Sequence, residues 1–222
     1  MRFESRSVEP PFIPLDEFFA LDRHRPQDAA AHRRFGVDPD AARFFGWTVE
    51  QAESAPDSHY DDVIRRFGRE WSDGTRFSLV IRRRLEGEAV GTVELRPVGD
   101  QADVSFMVSA ELRGQGLAPR ALNAMLAWGS SELGLRYANL GCHVDNTASR
   151  RVAEKCGFVF VCRQDDELRF RRKHRPPRIR VTVRLAGSVR LGPSQPRVSV
   201  SRVTHRVAVP AFCDRSGVSW FA

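Results

Sequence analysis

The sequence predicts an α/β chain of the α+β kind, in which helices flank a mixed, mostly antiparallel central sheet. Three observations lead there. Up to residue 71 apolar positions recur with a helical period, as with Val63, Ile64, Phe67 and Trp71 along one side of a segment near 58–71. From Ser72-Asp73-Gly74-Thr75 the period switches to two, and the runs 77–81, 90–95 and 104–108 are broken by Glu86-Gly87 and Gly99-Asp100. Short period-two runs separated by such pairs form an antiparallel meander. Strand 104–108 is then followed by a glycine-rich turn, a helical pattern, a β-rich run over 137–144 and a second helical pattern.

Taken in order, residues 1–16 hold Pro10, Pro11 and Pro14 and read as an irregular lead-in, and 17–24 as a weakly alternating first strand. Arg25-Pro26-Gln27-Asp28 opens a helix to about Phe35, and Asp38-Pro39-Asp40 opens another to Phe45-Gly46-Trp47. Thr48 is placed to cap the next short helix, with Gln51 at the capping-box position. Clustered aromatics in a chain of this size are more often core than site, so Phe44, Phe45, Trp47 and Tyr60 are read as core. After the meander, Ala118, Ala121, Leu122, Met125 and Leu133 follow a helical period that Gly134 terminates. Ala148, Val152 and Cys156 share one face of a later helix, with Gly157 at its C′ position, and 159–162 begins another strand.

The chemistry centres on residues 104–158, and within them on Arg113-Gly114-Gln115-Gly116-Leu117-Ala118. Strand, glycine-rich turn and helix N-terminus together hold phosphate, because first-turn amides lack intrahelical partners and the helix dipole favours anions. Gly114 and Gly116 are expected to let the backbone approach closely, and Pro119 fits the first turn. A pyrophosphate-bearing ligand is expected here. A P-loop would need Gly-Lys-Ser/Thr where this chain has Gly116-Leu117-Ala118. A dinucleotide fingerprint would put its third small residue where Pro119 stands. An ordinary glycine-rich turn is the bland reading. The pattern Arg/Gln-x-x-Gly-x-Gly/Ala is matched in full by Arg113, Gly116 and Ala118.

Downstream, Asn146-Thr147-Ala148-Ser149 opens a helix that ends in Lys155-Cys156-Gly157-Phe158. Taken alone, Asn146 merely caps that helix and Ser149 decorates its first turn. Two motifs in this order, separated by one helix and one strand, resemble the GNAT N-acetyltransferase superfamily in its RimJ/RimL-like branch.

The resemblance implies a sheet splayed at the cofactor strand, with acetyl-CoA as co-substrate and no metal. It implies a cofactor site of Met107, Val108, Arg113, Gly114, Gln115, Gly116, Leu117, Ala118, Asn146 and Ser149. A strand N–H near Val108 would polarise the thioester carbonyl. The reaction implied is direct attack by a primary amine, from a protein N-terminus such as that of a ribosomal protein or from a small molecule. Glu94 and Asp103, on strands flanking the cleft, are the candidate bases, against the reading that each is a solvated strand charge. Ser149 is the candidate group at the departing thiolate. The tyrosine acid common in the family has no counterpart, since Tyr60 and Tyr137 are the only tyrosines. His143 reads as an exposed or structural histidine. Cys142 and Cys156 lack a His-plus-acid setting and read as inert. With no strong base evident, an α-amine suits the site better than a lysine. The competing reading is a catalytically idle module that binds CoA or a partner for regulation. The complete loop motif favours the enzyme.

Length and charge bound the rest. The 222 residues allow one sizeable core plus an extension. No run approaches the ~20 apolar residues of a membrane span, and the start Met1-Arg2-Phe3-Glu4 has no apolar leader. Cys142, Cys156, Cys162 and Cys213 show neither metal-ligand spacing nor a disulfide framework, which fits a reduced cytoplasmic protein. The expected oligomeric state, not read from the cysteines, is monomer or homodimer. The net charge of +7 is uneven: residues 169–222 hold thirteen Lys/Arg and one Asp, so the remainder is mildly acidic. The pattern decays near Arg169-Phe170-Arg171-Arg172-Lys173, and beyond about residue 169 the chain is expected to leave the usual catalytic fold. Residues 178–185 alternate and offer a final strand. The domain is placed at 1–186, and 187–222 is read as a basic extension, disordered or non-native, ahead of an RNA- or ribosome-binding arm.

Overall fold

The structure is a computed structural model and describes residues 8–174. The predicted strand over 178–185 and the extension 187–222 lie outside the described residues. Two short strands come first, β1 (Ile13–Pro14) and β2 (Phe19–Asp22), then four helices, α1 (Ala29–Gly36), α2 (Pro39–Phe45), α3 (Val49–Ser54) and α4 (Asp57–Ser72). The meander follows as β3 (Phe77–Arg83), β4 (Ala89–Val98) and β5 (Gln101–Val108). Then come α5 (Leu117–Glu132), β6 (Tyr137–His143), α6 (Thr147–Lys155), β7 (Val159–Gln164) and β8 (Glu167–Lys173). The eight strands form one sheet in the order β1-β2-β3-β4-β5-β6-β8-β7, antiparallel except where β5 meets β6. The predicted mixed, mostly antiparallel sheet with flanking helices is what forms.

Local signals set the helix ends. Asp38 caps α2 by accepting the Ala41 N–H (2.9 Å), with Pro39 at the first helical position. Thr48 and Gln51 form the expected reciprocal capping box at α3. Register then sorts each strand's side chains between two faces. Leu79, Val93, Leu95 and Val104 pack with Leu122, Met125 and Leu126 of α5 in the main core. Each fully buried side chain of this size contributes about 1.5–3 kcal/mol. On the opposite face Val80, Ala89 and the half-buried Met107 meet Ala31 and Phe35 of α1. That face also takes inward polar groups: Arg82 reaches Asp28 (2.7 Å) and Asp22 (3.1 Å), all three buried.

Two elements differ from expectation at the ends. The proline-rich lead-in contains β1, paired at Ile13↔Leu21, and Pro14 is tolerated because β1 is the sheet's edge. The next strand is confined to Phe19–Asp22, since the Asp16 carboxylate accepts the Phe18 and Phe19 amides (2.8 and 2.7 Å) and holds a turn. At the other end, 169–173 is not where the fold lapses. It belongs to β8, which enters between β6 and β7 after a turn at Asp165-Asp166. The arginines concealed it. Phe170 alone of this strand is buried, while Arg171 donates to Asn139 (2.9 Å) and Arg169 pairs with Glu167 (2.8 Å). Among the described residues no helix is long and apolar enough to cross a membrane.

Candidate active site

Strands β5 and β6 pair only at Gln101↔Tyr137, Ala102↔Ala138 and Asp103↔Asn139. Past these pairs they separate, leaving a cleft of about 460 Å³ lined by residues 104–108 on one side and 140–143 on the other. Successive strand residues point to opposite faces, so a cleft lined by consecutive residues passes through the sheet. On the α5 side it meets Arg113, Gly114, Gly116, Leu117, Ala118 and Pro119, and then Asn146 and Ser149 at the start of α6. On the α1 side it meets Asp40, Ala41, Phe44 and Phe45 of α2.

The opened edge of β5 keeps its polar groups. The Ser109 N–H donates to the Val90 carbonyl (2.8 Å), which turns the amides of 105, 107 and 109 toward β4. Those of 104, 106 and 108 therefore face the cleft. In agreement, the Val108 carbonyl on that same edge accepts Arg113 Nε (3.2 Å). Just beyond, Gly114 (φ +78°) and Gly116 (φ +74°) are left-handed, and Gly116 caps α5. Among the described residues, chain neighbours aside, nothing lies within 4 Å of a Cβ built at either glycine. Backbone angle, not crowding by protein atoms, is what requires glycine there. The first amides of the 16-residue α5 point outward without intrahelical partners.

Not every expected residue turns a free side chain into the cleft. The Arg113 guanidinium is committed to Asp38 (2.7 Å) and Asp40 (2.9 Å), tying the loop to α2. The Gln115 side chain turns back to the Glu111 carbonyl (3.0 Å) and is not among the lining residues. Glu94 is not a solvated strand charge: it is 1% exposed, beneath the cleft wall. It accepts from Ser105 (3.3 Å), which does line the cleft, and from Arg96 (3.2 Å) and Ser78 (3.4 Å). Burial pushes its carboxyl above the usual range, against the pull of Arg96 and Arg76. Asp103 sits further down β5, accepts from Asn139 (3.3 Å), and stands outside the lining. Met107, Val108, Asn146 and Ser149 line it, and Asn146 caps α6 by accepting the Ser149 N–H (3.0 Å).

The aromatics divide. Tyr60 is core, its hydroxyl donating to the Ala52 carbonyl (2.8 Å). Phe44 and Phe45 are not core as expected; both are half-buried and line the cleft, with the Phe44 ring 6.1 Å from His143. His143 also lines it, its Nδ1 accepting the Asp145 N–H (3.1 Å). Burial pushes the Cys142 thiol up to about 11, with the Glu167 charge adding to it, and burial does the same at Cys156. Neither thiol is poised as a nucleophile. The composition gave no hint of Ser105 or of Gly141, whose roles depend on partners on other strands.

A sheet opened between two parallel strands, with a glycine-capped helix at one mouth, gives a passage through the sheet that ends on unpartnered helix amides. The acetyltransferase (GNAT) domain matches residues 19–159, well over half the sequence. The chain belongs to that family. A curated relative, the ribosomal-protein-serine acetyltransferase of Escherichia coli, is 28% identical over 78 residues, covering 34% of this chain and 44% of that protein. The match thus spans less than half of that relative's own length. Among solved structures, a RimL ribosomal-protein α-N-acetyltransferase in complex with coenzyme A has a TM-score of 0.65 at 17% identity, covering 73% of this chain and 98% of its own. A microcin self-immunity acetyltransferase in complex with acetyl-CoA and AMP has a TM-score of 0.62 at 15% identity, covering 76% and 99%. These structures share the fold.

Proposed function

We propose that this protein moves an acetyl group from acetyl-CoA directly to a primary amine, best fitted by a protein N-terminal α-amine. The observation that carries the reading is the cleft through the sheet, with the Val108 edge at its wall and the N-terminus of α5 at its mouth. The pyrophosphate rests on the amides of residues 114–118, where the helix dipole favours it. The pantetheine arm runs along the open edge of β5, and the Val108 N–H donates to the thioester carbonyl as it becomes an oxyanion. The amine nitrogen attacks the carbonyl carbon from the α2 side, and the carbon–sulfur bond breaks. The proton lost by nitrogen passes to Glu94 through Ser105, the hydroxyl linking that buried carboxylate to the cleft. Ser149, at the first turn of α6, attends the departing thiolate.

An α-amine, with a pKa of roughly 7.7–8.0, needs less help to lose its proton than a lysine near 10.4. A buried carboxylate reached through a hydroxyl suits the easier task. The same reading places the enzyme in the cytoplasm, as monomer or homodimer, with the catalytic domain within 1–186 and 187–222 as an extension. The test is release of free thiol from acetyl-CoA with peptides bearing free or blocked N-termini, lysine peptides, polyamines and aminoglycosides. Release confined to free N-termini is expected. Acetyl-CoA binding without thiol release from any amine would instead establish the idle module, and acetylation confined to lysines or antibiotics would overturn the α-amine preference.

A further inference from the structure

Gly141 stands in the middle of β6, where glycine weakens a strand and calls for a reason. The reason lies across the sheet. A Cβ at 141 would stand 2.0 Å from Glu167 Oε1, 3.1 Å from Glu167 Cδ and 3.2 Å from Arg169 Nη1. The Glu167 carboxylate thus lies over the backbone of residue 141, which lines the cleft, while Glu167 itself stands just outside the lining. Register puts Glu167 beside His143 and Arg169 beside Gly141, all on the face opposite α5. There α2 forms the other lip, with Phe44 near His143. The two carboxylate oxygens differ. Oε2 holds the Arg169 guanidinium at 2.8 Å, whereas among the described residues Oε1 receives no side-chain hydrogen bond. The side chain is 40% exposed, so the anion is fixed in place yet open to a ligand. Its charge reaches the cleft, where it adds to the upward shift of the Cys142 thiol.

We propose that Glu167 captures the acceptor as an ammonium ion at the α2-side mouth of the cleft, with Gly141 leaving the space its carboxylate occupies. This rests on the acetyltransferase reading and names its substrate class: cationic primary amines rather than neutral nucleophiles. Glu167 Oε1 accepts an N–H of the ammonium and holds the nitrogen over the gap between β5 and β6. Arg169 opposes a cation there, Arg43 is paired with Asp145 next to His143, and Asp40 and Arg113, themselves paired, also line this side of the cleft. A carboxylate pinned by Arg169 on one oxygen offers a directional site on the other.

The test uses the full chain, with thiol release as readout and two acceptors, a free-N-terminal peptide and hydroxylamine, which is uncharged at pH 8. Glu167→Gln is expected to raise KM for the peptide by about tenfold to a hundredfold, the range for losing a hydrogen bond to a charged group. KM for hydroxylamine and the acetyl-CoA Kd should not change. Gly141→Ala, whose Cβ displaces the carboxylate, should act in the same direction, and its effect should vanish in the Glu167→Gln background. An active wild type with unchanged peptide KM in Glu167→Gln overturns the Glu167 assignment alone. Wild-type protein that releases no thiol with any amine overturns the underlying reading instead. Equal loss with both acceptors would mean that Glu167 shapes the cleft without recognising charge, and would also overturn the proposal.

Discussion

The two faces of the sheet are filled by different chemistry although the same strands supply both. Toward α5, Leu79, Val93 and Leu95 meet Leu122, Met125 and Leu126 in an apolar layer. Toward α1 and α4, the alternate residues Ser78, Arg82, Thr92 and Glu94 are buried as polar groups. Arg82 joins Asp22 and Asp28 there, and a second chain runs from His32 to His24 (3.4 Å), Ser78 (2.9 Å) and Glu94 (3.4 Å). An apolar layer tolerates small shifts, whereas hydrogen-bonded charges fix distances. The proposed cofactor contacts need only backbone amides and a helix end, and they stand on the apolar side. The proposed acceptor and proton-handling groups need placed side chains, and they stand on the polar side.

The largest effect that would break this comparison concerns Arg82. Arg82→Leu leaves Asp28 buried without its cation and Asp22 with only the half-exposed Arg25, and is expected to cost about 3–5 kcal/mol of stability by denaturant unfolding. Leu122→Ala on the other face should cost about 2–5 kcal/mol through its cavity. Arg82→Lys should recover little, since an ammonium cannot span both carboxylates as the planar fork does. A loss below about 1 kcal/mol for Arg82→Leu, typical of an exposed pair, would remove the distinction between the faces.

The histidines sharpen it through pH. Burial holds His32 at about 4 and His24 well below its ordinary value, in His32 against the nearby Asp28, in His24 together with the positive charges of His32 and Arg82. Both folded values lie below the unfolded value near 6.5, so the neutral rings contribute stability above that pH. The contribution is lost as pH falls from about 6.5 toward 4, and for His32 it amounts to roughly 3 kcal/mol. Tm should therefore fall steeply across that window in the wild type and less steeply in His32→Phe. Parallel pH profiles for the two proteins would show that these rings are not a buried neutral pair. Leu122→Ala should lower Tm by the same amount at every pH.

On the apolar side a lesion should strike binding and spare the fold. Gly116→Glu puts a non-glycine residue at φ +74° and a negative charge where an anion is proposed to rest. Calorimetry should show acetyl-CoA affinity falling about a hundredfold, the scale of losing favourable helix-end contacts and adding repulsion. Because nothing among the described residues crowds residue 116, Tm should fall by only a few degrees. Unchanged affinity would remove the loop from the cofactor site.

What was legible in the sequence follows the same division. Features specified by neighbours in the chain were readable: the helix start at Asp38-Pro39, the caps at Thr48 and Asn146, the turns of the meander, the Gly114 and Gly116 loop. Features specified by residues far apart were not. The arginines of β8 suggested an end to the fold because Asn139, which satisfies Arg171, lies 32 residues earlier. Phe44 and Phe45 resemble core residues until β5 and β6 part in front of α2. Glu94 is drawn beneath the wall by Ser78 and Ser105, two ordinary strand serines. Gly141 makes sense only once Glu167 is seen lying across it.

The smallest effect expected lies at the start of α6, where a structural and a chemical role sit three residues apart. The Asn146 side chain accepts the Ser149 N–H, so Asn146 makes the cap and Ser149 contributes only its backbone to it. Asn146→Ala should therefore cost about 1 kcal/mol, seen as a lower Tm. Ser149→Ala keeps that backbone amide, so the cap and Tm should survive. Any kinetic change in Ser149→Ala then reports on the hydroxyl in the cleft. A hydroxyl that hydrogen-bonds the departing thiolate acts only as charge develops on sulfur, so kcat should fall while KM for acetyl-CoA stays constant, by about tenfold or more for one hydrogen bond to a charged group. The effect should shrink with a thioester whose leaving thiol is more acidic, because less charge then needs stabilising. If KM rises and kcat holds, Ser149 binds the pantetheine arm in ground and transition state alike. If neither constant moves, the hydroxyl has no part in the chemistry, and departure of the thiolate rests on the cleft's backbone amides and solvent.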